Sequence, residues 1–331
     1  MANFNISEFV EGMPHLKGRL VEGAPLARLS WFRTGGPADL LFEPAGEADL
    51  ITFLRHLPAS VPLTVIGVGS NLLVRDGGVE GVVIRLGRSF ANIEARGNIV
   101  KAGAGAMDVH VARFCADKGL SGLEFLVGVP GTIGGAVKMN AGAYGREIAD
   151  VFVHTHAVDR LGHIHELGPD DLKFAYRKSA VTDDYIILGA AFKTSPDDAE
   201  IIKVRMNEIT TNRQDSQPIG TRTGGSTFKN PDGMKAWELI DQAGCRGMRV
   251  GDAQISEKHC NFLINHGSAS AADIETLGEA ARDAVREKTG VTLEWEVRII
   301  GRVAADVNAA AQPTKNMQKN DNQANNERAS A

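Results

Sequence analysis

Cysteine is scarce in this 331-residue sequence: Cys115, Cys245 and Cys260 stand far apart, and no two are spaced as CxxC. That argues against a disulfide framework or a thiolate zinc site and fits a reducing compartment. Within Val-Ala-Arg-Phe-Cys-Ala-Asp-Lys-Gly, Cys115 reads as a small buried hydrophobe. No apolar run approaches the ~20 residues that a spanning helix needs. Residues 1–20 carry charges and glycines where a signal peptide would have an apolar core. A basic surplus is missing too: 36 Lys and Arg stand against 41 Asp and Glu, for a net charge of -5. Without a Lys/Arg block interleaved with aromatics, neither nucleic acid nor an anionic membrane is an expected partner. The chain is expected to be cytoplasmic.

What is present is apolar residue in quantity (43%) and a length suited to two or three domains. The 37 glycines cluster at residues 67–87, 103–105, 119–145 and 220–233, as where backbone turns sharply or meets a ligand. Between the clusters, Pro62-Leu-Thr-Val-Ile and Gly81-Val-Val-Ile-Arg-Leu read as strands. Apolar spacing predicts helices over about 47–57, 108–118 and 273–289, the last with Ile274, Leu277, Ala281, Ala284 and Val285 on one side and Gly290 as its stop. The fold class is therefore α+β. After Gly301 the pattern ends. Residues 303–331 hold no aromatic and many Ala, Asn, Gln and Lys, and are expected to be a disordered tail.

Two glycine loops carry the functional argument. Residues Ile66 to Leu72 begin like a dinucleotide fingerprint, but the third glycine is replaced by Leu72 and a second β-like run follows. This is strand–loop–strand, open either to a phosphate nest of backbone N–H groups or to a plain β-turn. The second loop, from Glu124 to Gly145, combines Pro130 with Gly128, Gly131, Gly134 and Gly135. Such density of bare backbone suits a large flat or diphosphate ligand lying against it.

Six motifs then occur in order: Trp31-Phe-Arg-Thr-Gly-Gly-Pro-Ala, Ile66-Gly-Val-Gly-Ser-Asn-Leu, Gly128-Val-Pro-Gly-Thr-Ile-Gly-Gly-Ala, Ala175-Tyr-Arg-Lys-Ser, Gly224-Gly-Ser-Thr-Phe-Lys-Asn-Pro and Leu293-Glu-Trp-Glu-Val-Arg-Ile-Ile-Gly. Over about 20–302 the chain resembles the UDP-N-acetylenolpyruvoylglucosamine reductase (MurB) family. The resemblance implies a two-lobed FAD-binding domain of the vanillyl-alcohol oxidase (PCMH) type, then a smaller α+β substrate-binding domain. Expected boundaries are 1–19 for an N-terminal extension, 20–90 and 91–200 for the lobes, 205–302 for the third domain and 303–331 for the tail. It implies non-covalent FAD, NADPH as donor and the enolpyruvyl ether of UDP-N-acetylglucosamine as substrate, in peptidoglycan precursor synthesis and hence cell-wall biogenesis, shape and division. Expected FAD contacts are Gly67, Val68, Gly69, Ser70, Asn71, Leu72, Gly128, Val129, Pro130, Gly131, Thr132, Gly134, Gly135, Ala136, Asn140, Ala141 and Gly142. One branch of the family carries an inserted loop whose tyrosine covers the sugar. The interval from Arg177 to Ser226 leaves no room for it, and Tyr185 lies in a strand-like run, so the chain resembles the loop-less branch.

By the same resemblance, Arg177 forks onto the substrate carboxylate, Ser226 protonates the carbon next to the reduced methylene, and Glu296 hydrogen-bonds the carboxylate side of the intermediate. Glu294, two residues earlier, would face the same side of a strand. Tyr176, Lys229, Asn230, His259 and Asn261 are expected substrate contacts. Rival functions are an oxidase on the same fold and a non-catalytic nucleotide binder. The first is disfavoured because 62–80 holds no His or Cys to tether a flavin; the second predicts colourless protein. One constellation stands apart. His154, His156, His163 and His165 flank a turn at 159–162, and a two-residue turn would put all four on one side of a hairpin, where zinc or nickel could bind. With no carboxylate or thiol to complete the set, a polar strand face is the expected reading, and no metal.

Overall fold

The computed structural model describes residues 6–304; most of the tail expected at 303–331 lies outside the described residues. The first lobe is a four-stranded sheet in the order Arg19–Pro25, Pro37–Glu43, Val79–Arg85, Leu63–Ile66, antiparallel in its first pair and parallel in the others. Helix Glu47–His56 buries Leu50, Phe53 and Leu54 against it, with Phe53 stacked on Phe42 at 4.3 Å. The expected extension is not separate from this lobe. Its helix Ile6–Glu11 sets the Phe9 ring 5.8 Å from Phe53, and Arg19 already begins the first strand.

The second lobe is a five-stranded antiparallel sheet, ordered Ile164–Leu167, Phe152–Asp159, Tyr185–Lys193, Ile99–Gly103, Ile93–Arg96. Helix Ile133–Lys138 packs on the sheet, and helices Asp108–Asp117 and Ala199–Ser216 lie against each other and against the turn Glu124–Gly128. One continuous core, from Leu40 to Met206, runs through both lobes. Helix Ala199–Ser216 straddles the boundary expected at 200–205 and is bound to the second lobe, where Arg205 meets Glu124 at 3.0 Å.

The third unit has its own core. Strands Arg249–Val250, Ala253–Ile255 and Leu263–Asn265 pack beneath helices Ala236–Gln242 and Ala271–Thr289. The long helix begins at a Ser270/Asp273 capping box and stops at Gly290, whose φ is 77°. Its first N–H groups also donate to Asp76 of the first lobe, at 2.9 Å from Ala271 and from Ala272. Phe32, only 1% exposed, inserts into this core from the first lobe. Burying a phenylalanine contributes about 1.5–3 kcal/mol, enough to fix how the units dock. The chain then returns: Arg298–Ile300 pairs in parallel with Leu72–Val74, so the last strand of the expected third domain belongs to the first lobe's edge.

The histidine hairpin departs from expectation. Asp159 N–H donates to His163 O at 2.9 Å around a three-residue loop, with Gly162 at φ 78°. The extra loop residue slips the register by one: His156 pairs with Glu166, and His165 with Ala157. A slip of one turns a side chain to the opposite face, so the four histidines are split between two faces.

Candidate active site

Two cavities meet at Pro130. The first, of about 290 Å³, runs between the lobes and is lined by Gly67, Val68, Gly69, Ser70, Asn71 and Leu72 on one side and by Val129, Pro130, Gly131, Thr132, Gly134, Gly135, Ala136 and Ala141 on the other. Leu72–Val74 is a strand, so the first loop is strand–loop–strand, as its missing third glycine implies. Among the described residues, the N–H groups of Val68, Gly69, Ser70 and Asn71 donate to no protein acceptor, leaving a row of donors for an anion. Gly69 has φ 68° and a Cβ there would meet the Leu29 carbonyl, so only glycine fits. A Cβ on Gly135, in contrast, meets nothing within 4 Å. It would project into the cleft. The open space at Gly135 and the N–H donors of residues 68–71 fit an anionic group such as the diphosphate of FAD. The second loop is not wholly loop: Ile133–Lys138 is a helix, and Gly134 sits where a Cβ would reach Ala104 at 3.0 Å.

Three expected FAD contacts lie outside the lining. Gly128 packs against Tyr144. Asn140, fully buried at φ 47°, accepts from Ala149 N–H at 3.0 Å and donates to Ala175 O at 3.1 Å, so its amide clamps backbone. Gly142 gives its carbonyl to the Arg177 guanidinium at 3.0 Å.

Arg177 and Glu296 come together from 119 residues apart: Nε to Oε1 is 3.0 Å, with side chains 18% and 13% exposed. Arg177 has φ 55°, a strained conformation for a non-glycine residue, held by the turn in which Ala175 and Lys178 bond each other. Burial raises the Glu296 carboxyl above the usual range, and Arg177 pulls the other way without cancelling it. Glu294 instead points outward, 74% exposed, to Lys229 at 3.0 Å, so of the two glutamates Glu296 is the one paired with Arg177. The Glu296 main chain is held twice: its N–H donates to Thr227 O at 2.8 Å and its carbonyl accepts from the Asn71 amide at 3.0 Å. Ser226 therefore sits one residue from the Glu296 backbone, bridged to Phe262, with Gly225 in the wall of the second cavity.

That second cavity, of about 400 Å³, was not legible as a site. Trp31, Arg33, Arg213, Gln217, Arg222 and Thr223 line part of it. Burial lowers the pKa of Arg213, whose Nε donates to Gln217 at 3.0 Å. Of the expected substrate contacts, none lines either cavity. Asn261 is spent on the Phe228 backbone, accepting at 2.9 Å and donating at 2.8 Å. Asn230 caps Ala236 N–H at 3.0 Å. His259 is packed on Phe262, and burial lowers its pKa. Only Tyr176, exposed and 4.9 Å from the Arg177 guanidinium, and Lys229 stay beside the charged pair. No tyrosine loop intervenes between Arg177 and Ser226; strand Tyr185–Lys193 and helix Ala199–Ser216 fill much of that interval, and Tyr185 lines the first cleft.

Residues 38–168 match the FAD binding domain family, and residues 217–300 match the UDP-N-acetylenolpyruvoylglucosamine reductase C-terminal domain. Fold and cleft together make this an FAD-dependent oxidoreductase. Curated UDP-N-acetylenolpyruvoylglucosamine reductases of Parvibaculum lavamentivorans and Azorhizobium caulinodans are 58% and 57% identical to it, over 91% and 87% of this chain and 97% and 94% of theirs. The crystal structure of the reductase from Thermus caldophilus superposes with a TM-score of 0.76 at 36% identity, covering 87% of this chain and all of that one. The chain belongs to the UDP-N-acetylenolpyruvoylglucosamine reductase (MurB) family.

Proposed function

We propose that the protein reduces UDP-N-acetylglucosamine enolpyruvate to UDP-N-acetylmuramate with NADPH, a step of peptidoglycan precursor synthesis, and that the reaction occurs at Arg177, Ser226 and Glu296, which border the two cavities without lining either. The observation that carries this is the buried Arg177–Glu296 pair, placed one residue from Ser226 and tied to the glycine loop through Asn71. Residues of the first cleft within 67–72 and 129–136 would hold FAD, which once reduced by NADPH would supply a hydride for the methylene carbon of the enol ether. Arg177 keeps guanidinium N–H groups beyond those given to Glu296 and Gly142, and these bind the substrate carboxylate on which charge develops. In a site shielded from water that interaction strengthens as charge builds. Glu296, paired with Arg177 at 3.0 Å, orients the guanidinium on the carboxylate side of the intermediate. Ser226 delivers the proton to the adjacent carbon. Arg33, Arg213 and Arg222 hold the diphosphate of the UDP-sugar in the second cavity.

No helix among the described residues is long and apolar enough to cross a membrane. Its three free, buried cysteines support a reducing, cytoplasmic setting.

Ser226→Ala tests the assignment by separating the half-reactions. Bleaching of oxidised flavin by NADPH should proceed near the wild-type rate. Reoxidation by the enolpyruvyl sugar should slow by about 100- to 10,000-fold, the usual contribution of a positioned acid. Equal slowing of both halves, or of neither, would make Ser226 a structural residue. Purified protein without flavin absorbance would overturn the whole reading.

A further inference from the structure

We infer that His154, His156 and Glu166 form a binding site for a divalent transition-metal ion of the zinc type, at the edge of the second-lobe sheet and separate from the FAD cleft.

His154 and His156 are two residues apart on Phe152–Asp159, with ring centroids 5.2 Å apart. Glu166 is the cross-strand partner of His156 on the edge strand Ile164–Leu167. One ligand atom from each of the three side chains lies within 4.8 Å of the other two. None of them lines either cavity.

A tetrahedral ion with bonds of about 2.0–2.1 Å holds its ligand atoms roughly 3.4 Å apart. The His156 Nε2 to Glu166 Oε2 edge is 3.1 Å, close to that spacing. The other edges shorten by rotating side chains that solvent already reaches, His156 and Glu166 being 46% and 65% exposed. Two imidazoles and a carboxylate are three protein ligands, which leaves the fourth position to water. Imidazole nitrogen favours zinc, nickel or copper over calcium or magnesium, which take oxygen. An exposed His–Glu ion pair is worth at most about 1 kcal/mol and gives no role to the His154 ring beside it.

The opposite face shows what a closed network looks like. His163 and His165 both converge on one oxygen of Asp159, at 3.3 and 2.9 Å, while its other oxygen accepts the Leu161 and His163 N–H groups, each at 2.9 Å. There the carboxylate is committed; at Glu166 it is bonded only to His156 among the described residues. An ion at the triad would pin the edge strand to its neighbour, protecting an exposed sheet edge.

The test uses the full-length, tag-free, FAD-loaded protein, stripped with chelator and titrated with Zn²⁺ by calorimetry. Expected is one equivalent bound, with a Zn²⁺-dependent rise in melting temperature. His156→Ala and Glu166→Gln should each weaken binding by more than the roughly 10- to 100-fold that loss of a merely supporting group costs. His163→Ala/His165→Ala should bind as wild type, and all variants should keep their flavin. Absence of saturable binding, or wild-type binding by His154→Ala/His156→Ala, overturns the inference, as does equal loss in the His163/His165 variant.

Discussion

Arg177→Met should reveal how much of the buried pair is charge. The partners are 3.0 Å apart and less than one-fifth exposed. Two unit charges about 4 Å apart attract by roughly 4 kcal/mol at the effective dielectric of about 20 that suits partly buried sites. Desolvation offsets much of this, so the intact pair adds little net stability. Removing one partner is different, because a bare carboxylate remains where burial already raises its pKa. Arg177→Met should therefore cost about 3–5 kcal/mol near neutral pH. Arg177→Met/Glu296→Gln should cost much less, giving a coupling energy of several kcal/mol against the sum of the single variants.

The sign of the pH dependence is part of the test. Without the guanidinium, the folded-state pKa of Glu296 rises further above its unfolded value of about 4.3. Between those values the folded state holds a proton that the unfolded state has released, so stability falls as pH rises through the window. Arg177→Met should lose more stability at pH 8 than at pH 5, and the double variant should lack that slope. Urea unfolding followed by the fluorescence of Trp31, Trp237 and Trp295 gives both quantities. Single-variant effects that add within about 0.5 kcal/mol and do not vary with pH would refute a desolvated charge pair.

Gly135→Val should fold yet purify without flavin, because its side chain enters open cleft, whereas Gly131→Val must also displace the Asp108 carboxyl 2.8 Å away and should lose stability as well; flavin-to-protein absorbance and melting curves distinguish the two. Asp108 is fully buried with both carboxyl oxygens unpartnered, and burial holds its pKa well above the usual range. Stability should accordingly fall as pH rises above about 3.9, and Asp108→Asn should flatten that slope while changing little below it, as thermal melts from pH 3 to 9 would record. A chain ending at Arg302 should keep full turnover, since Arg302 still bonds Gly77, Gly78 and Asp39, whereas one ending at Val297 loses strand Arg298–Ile300 and should fail to retain FAD.

What could be read from the sequence was local. Helix Ala271–Thr289 announces itself because an apolar stripe and a stop glycine lie within one segment. Leu72 in place of a third glycine ruled out a Rossmann turn for the same reason: the requirement is met or missed within seven residues. Helix Ala199–Ser216 was passed over because it buries only Ile202 and Met206 and so shows no clear stripe. Helix Ile133–Lys138 hid behind glycines that look like loop. Asn230, in a site motif, and Asn261, outside the motifs, cap and clamp backbone, which only the fold discloses. The hairpin register turned on one residue of loop length, invisible to period-two reasoning. Arg33 meets Arg213 and Arg222 in the second cavity from a distant stretch of the chain, and no spacing rule connects them.

That non-local convergence extends to Glu296, which lies on the stretch 293–302. Residues 293–302 leave the third unit, touch Thr227 beside Ser226, accept the Asn71 amide from the FAD loop, and end as a strand against Leu72–Val74. A glutamate on a free loop would have many positions relative to Arg177; this one is fixed on both sides within three residues. The same parallel pairing begins at Leu72, immediately after the loop whose N–H groups are left for FAD. The backbone that presents Glu296 and the loop proposed to hold the cofactor thus both run into the Arg298–Leu72 pairing. A change that loosens either loop should therefore be felt at both, at the Arg177–Glu296 pair and at the proposed FAD cleft.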